Sequence, residues 1–137
     1  MSDDGVFLEV DRDEAWELLR TTTVGRVAFV VDGRQELLPV NFVVHRDAVY
    51  VRTAPDSVLA RLAEGHDAVA FEVDHHDDTF RLGWSVVLHA RSGRVTDEQL
   101  LAELAERGRP APWAAGDRDL VLELRSQAIS GRRVRQG

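Results

Sequence analysis

From Arg81 to Val95 the chain repeats with a period of two, setting Trp84, Val86, Leu88 and Ala90 on one side and Ser85, Val87, His89 and Arg91 on the other. That period belongs to a strand with one face in a core, and a helix cannot reproduce it. A strand this long must bend to stay within a small fold. Gly83 and Gly93 supply places to bend or bulge, as a closing barrel requires.

The rest of the chain reads as shorter elements arranged around this strand. Asp11 is a candidate N-cap with Glu14 as its capping-box partner, opening a helix that carries Ala15, Trp16, Leu18 and Leu19 and fades in Thr21-Thr22-Thr23. Val24 to Val31 is rich in β-formers and ends in the hairpin signal Asp32-Gly33. Leu37 to Val44 returns as a strand interrupted at Pro39, which implies an edge or a bulge. After the turn His45-Arg46-Asp47 a third strand runs from Ala48 to Thr53, so an antiparallel meander is predicted. Pro55 opens a second helix with Leu59, Leu62 and Ala63 inward, and Gly65 ends it. Ala68 to Asp74 is a strand, and Thr96-Asp97-Glu98-Gln99 starts a third helix carrying Leu100, Leu101 and Leu104. Arg109 to Gly116 is a loop, and Leu120 to Leu124 with Ile129 to Val134 makes the last strand or two.

These elements predict an α+β, mainly β architecture: a barrel of six or seven strands with short helices over its ends. The 137 residues provide for one core, so a single domain over 1–137 is expected, with short flexible ends at about 1–8 and 134–137. The net charge of −7 argues against a nucleic-acid binder, because neutralising phosphates needs a basic surface. No apolar run is long enough to cross a bilayer, and the acidic start Met1-Ser2-Asp3-Asp4 is unlike a signal peptide. The absence of cysteine removes disulfides, Fe–S clusters and thiol nucleophiles, and a cytoplasmic location is expected. Every basic side chain is Arg, so no lysine can hold pyridoxal phosphate as a Schiff base. An anionic ligand must be gripped by Arg, hydroxyls or backbone N–H groups.

Among candidate sites, Arg52-Thr53-Ala54-Pro55-Asp56-Ser57 ends a strand and opens a helix. Two readings stand: a plain helix start capped by Thr53, or a phosphate site using helix N–H groups, Arg52 and the hydroxyls of Thr53 and Ser57. Asp74-His75-His76-Asp77-Asp78 has metal-binding residue types, but neighbours on a strand point to opposite faces, so it reads as a solvated turn and no metal is expected. His45 and His89 have no evident acid or nucleophile partner, and Ser57 and Ser85 lack the context of a hydrolase elbow. Trp16 reads as core. Trp84 and Trp113 are either packing residues or flat walls for a ring-shaped ligand.

Six stretches in order resemble the flavin-binding split barrels related to pyridoxamine 5′-phosphate oxidase, in their short actinobacterial-type branch. They are Thr23–Ala28, Leu38–Phe42, Tyr50–Ala54, Ala68–Asp74, Gly83–Val86 and Pro112–Arg118, and the resemblance spans about Val10 to Val134. It implies a six-stranded antiparallel Greek-key split barrel that forms a homodimer, with FMN in grooves between the subunits. It also implies that the flavin ring lies against the strand of Pro39, Val40 and Asn41, and that the phosphate sits near Arg52, Thr53 and Ser57. Trp84 and Ser85 would border the cofactor, and Trp113 would lie near the ring. Relatives commonly read Gly-Ser-Lys or Gly-Thr-Lys at the phosphate turn, whereas this chain reads Asp56-Ser57-Val58, with Arg61 one turn on as a substitute cation. The implied activity is an FMN-dependent oxidoreductase with a small-molecule substrate or electron donor. The alternatives are a reductase using the deazaflavin F420 and a non-enzymatic flavin- or haem-binding module. The residues nominate no general acid or base.

Overall fold

The computed structural model describes residues 5–107 and 120–136. Its described strands form one antiparallel sheet of eight: β1 (Gly5–Val10), β2 (Val24–Val31), β3 (Arg34–Asn41), β4 (Val43–His45), β5 (Ala48–Thr53), β6 (Val69–Asp77), β7 (Leu82–Arg94) and β8 (Leu120–Gln136). The fold is the expected mainly β split barrel, with eight strands where six were expected. Two strands exceed the expected count. One is β1, which pairs with residues 131–136 of β8, so residues 5–8 and 134–136 belong to the sheet. The other arises because the run Leu37 to Val44 breaks at Phe42 into β3 and β4.

That break also corrects the predicted meander. The strand order is β3-β2-β6-β7-β8-β5-β4, which puts β3 and β4 at opposite ends of the path. Phe42 still donates its N–H to Thr23 at the end of β2, and the chain then crosses to the far edge. Its ring packs edge-on against Phe71 at 4.9 Å, and Val40 and Val44 on either side of it enter the same core. Pro39 therefore lies on an edge strand, where its missing donor is tolerated. The Asp32-Gly33 hairpin forms as expected, with both residues at positive φ.

The period-two stretch is a single strand, β7, paired along its length with the equally continuous β8. The register shifts between His89 and Ala90, whose partners are Ala128 and Ser126, leaving Gln127 as the extra residue of a bulge. Beyond the bulge β8 takes β5 as its second neighbour over residues 120–125, and before its end it takes β1.

Helix α1 (Arg12–Arg20) starts at Asp11, whose Oδ1 accepts the Glu14 N–H at 2.8 Å. The return half of the capping box is absent, because the Glu14 carboxylate accepts from Arg133 Nε at 2.8 Å. Trp16 and Leu19 are buried in the core. The second predicted helix is a 3₁₀ segment, Val58–Glu64, capped by Ser57 and not by Thr53, with Leu59 and Leu62 buried. Helix α2 (Glu98–Glu106) packs Leu100, Leu101 and Leu104 on Ala48 and Tyr50, covering the outside of β5. Among the described residues no helix covers the outside of β2, β3 and β6, where Val24, Val30 and Leu37 are 52%, 54% and 67% exposed. No described helix is long and apolar enough to cross a membrane.

Candidate functional site

The pairing register decides which predicted site residues share a surface. Val27, Val40, Phe71 and Val86 point into the core. Side chains alternate along each strand, so Arg26, Pro39, Asn41, Glu72, Asp74 and Ser85 stand on the uncovered outer face. Pro39 and Asn41 lie three strand spacings from Ser85, about 14 Å at roughly 4.8 Å each. An open groove of about 1020 Å³ borders this face beside Ser85, walled by Phe7, Asp74, His76 and Trp84.

Other nominated residues are placed elsewhere. The Val40 side chain is buried, so only its backbone is available to a ligand. Trp84 takes the opposite side of β7 from Ser85; it packs against the core with the His75 ring 6.3 Å away. Thr53 is buried and faces the core with Val51, whereas Arg52 points outward on the α2 side of β5. Thr53 Oγ1 lies 2.6 Å from Ser57 Oγ, which donates to the Ala54 carbonyl at 2.8 Å and accepts the Ala60 N–H at 3.2 Å. Both hydroxyls thus serve the turn itself. Arg61 does not reach back to Ser57: its Nη1 donates to Asp32 Oδ2 at 3.0 Å and its Nε to Glu64 Oε1 at 3.2 Å. The hydrogen bond from Arg61 holds the Asp32 carboxyl below its ordinary range. Trp113 lies outside the described residues.

The expected turn at Asp74–Asp78 starts later, because β6 continues through Asp77 and pairs His75 and His76 with Trp84 and Gly83. His76 Nδ1 meets Asp78 at 3.1 Å on the surface. Two interactions had no signal in local sequence. The buried His45 has Nε2 3.1 Å from Glu103 Oε2 on α2, a partner 58 residues away. The other is a triad in the middle of the outer face, where Arg26 Nη1 lies 3.4 Å from Glu72 Oε1 and 3.7 Å from Asp74 Oδ2. Burial, reinforced by a hydrogen bond with Asp74 and by its charge, pushes the Glu72 carboxyl up to about 7. A carboxyl in that range can hold or release a proton near neutral pH. The positions Arg26, Glu72 and Asp74 become a group only once β2 and β6 are paired.

Comparison with known proteins decides the family. The model of the family described as pyridoxamine 5′-phosphate oxidase matches residues 11–133. The chain belongs to that family. Its match to the uncharacterized protein Rv0080 of Mycobacterium tuberculosis is 34% identical over 131 residues, covering 93% of this chain and 85% of the relative. Among solved structures, the FAD binding protein from Mycobacterium smegmatis is 34% identical with a TM-score of 0.77, covering 93% of this chain and 97% of that one. The FAD and heme binding protein from the same organism, at 22% identity and a TM-score of 0.72, covers 94% of this chain and 74% of that one, and shares the fold. Within the pyridoxamine 5′-phosphate oxidase family, then, this chain keeps the barrel.

Proposed function

We propose that this chain binds a flavin on the uncovered outer face of its sheet and uses it for hydride or electron transfer as a homodimer in the cytoplasm. The observation that carries the reading is that Pro39, Asn41 and Ser85, from strands far apart in sequence, share one face beside a groove. The flavin-binding relative at 34% identity favours a flavin over other flat ligands. The donor set fits such a ring. The Asn41 amide and the Ser85 hydroxyl can meet its polar edge, and among the described residues β3 is an edge strand, paired on one side only. The phosphate end fits less well, because Thr53 and Ser57 bond each other and Arg61 is held by Asp32. A bound flavin supplies the redox chemistry by accepting and passing on hydride or electrons. The protein contributes orientation and the exclusion of water.

A second copy closing over the same face would cover Val24, Val30 and Leu37, and the interface should bury roughly 2,000 Å² in total. FMN is the ligand proposed. FAD carries the same ring and differs in its second half, so mass separates the two. The test is mass spectrometry of small molecules released from the purified protein, with absorbance recorded beforehand. FMN with a flavin spectrum is expected. FAD would keep the flavin reading and revise the nucleotide, whereas a deazaflavin, a haem Soret band or a colourless protein that binds no added flavin would overturn it.

A further inference from the structure

We infer that Arg26, Glu72 and Asp74 form a proton-holding triad on the outer face, and that closing a second copy of this chain over that face takes up a proton, so that self-association strengthens as pH falls. The inference rests on the homodimer proposed above.

The geometry supplies the argument. Glu72 and Asp74 are two residues apart on β6, so both carboxylates stand on the same side of the sheet and reach one guanidinium, that of Arg26 on β2. With both carboxyls ionised the triad carries one excess negative charge. With a single proton shared between them it is neutral. The outer face around the triad is partly apolar, with Val24 and Ala28 on β2, Pro39 on β3, Ala70 on β6 and Val87 on β7. Covering it removes water from an uncompensated charge, which is costly unless the charge is first neutralised. The elevated Glu72 carboxyl already shows this balance with the face open to solvent, and covering the face pushes it higher still.

The other titratable groups on this face are His76 on β6, His89 on β7, which pairs across from Ala70, Arg132 on β8, which pairs with Ser85, and Glu9 on β1, which pairs with Arg132. Asn41, Pro39 and Ser85 do not titrate in the relevant range. Protonation of His76 or His89 would add positive charge, so their contribution must be separated from that of Glu72.

The experiment is sedimentation equilibrium of the full chain and of Glu72→Gln from pH 6 to 9, with carboxyl NMR titration alongside. For the natural chain the dimer dissociation constant should rise on the order of 10- to 100-fold across that range, since each dimer holds two triads. Glu72→Gln should remove most of that slope, and Asp74→Asn should lower the titration midpoint of Glu72. A slope unchanged in Glu72→Gln, or a dimer with no pH dependence, would overturn the inference while leaving the homodimer standing. A monomer at every pH would overturn both. A Glu72 carboxyl titrating near the ordinary ~4.3 would overturn the triad alone, whatever the oligomer.

Discussion

A methyl group at Gly25 would stand 2.3 Å from Phe71 Cζ, so these two residues fit together only because one has no side chain. Gly25 faces inward on β2 and the Phe71 ring fills the space beside it, packed against Phe42. The pair holds together the two strands that lie between the residues of the candidate site.

Gly25→Ala should therefore destabilise the fold by about 1–3 kcal/mol through overpacking. A second change, Phe71→Leu, should relieve the clash and recover part of the loss. Thermal melting of the single and double variants checks this. Additive losses would show that the contact is not the cause.

The hydroxyl pair at the turn gives a second expectation. Ser57→Ala removes the cap of the 3₁₀ segment and leaves the buried Thr53 hydroxyl without its 2.6 Å partner. The ligand-free protein should lose about 1–3 kcal/mol. If Ser57 instead serves only a ligand, the free protein will melt as before and flavin affinity alone will fall.

Glu72 predicts a pH dependence of stability whose sign follows from its raised carboxyl. The folded chain keeps a proton up to about 7, where an unfolded carboxyl releases it near 4.5. The stabilisation is fully present below about 4.5 and is lost as pH rises through 7. Because the side chain is 33% exposed, solvent screening reduces the effect to about 1 kcal/mol. Glu72→Gln should melt higher than the natural chain at pH 8 and nearly alike at pH 4. Denaturant titrations at both pH values would reveal the opposite order if it exists.

The turn Asp56-Ser57-Val58 predicts a gain of function. Val58 is 38% exposed at the start of the 3₁₀ segment, so a lysine there can face solvent and an approaching phosphate. Asp56→Gly with Val58→Lys should tighten FMN binding about tenfold, and added salt should shrink the gain. Calorimetric titration at low and high salt measures both. Unchanged affinity would mean that the phosphate is bound away from this turn.

Much of the architecture was legible without coordinates because its causes are local. The period of two in β7, the Asp32-Gly33 hairpin, the Asp11 cap and the edge-strand proline at Pro39 each depend on a few neighbouring residues. Six ordered stretches sufficed to suggest the family, and through that resemblance Pro39, Asn41 and Ser85. The exchange at Phe42, the pairing of β1 with β8 and the two-strand gap between Asn41 and Ser85 depend on which strands meet, and that is set by burial summed over the whole chain. Tertiary structure alone turned the Val40 side chain into the core and gave Arg61 to Asp32. It also joined Arg26 to Glu72 across 46 residues and His45 to Glu103 across 58. A charge finds its partner through space, and the spacing of residues along a chain does not record which strands will lie side by side.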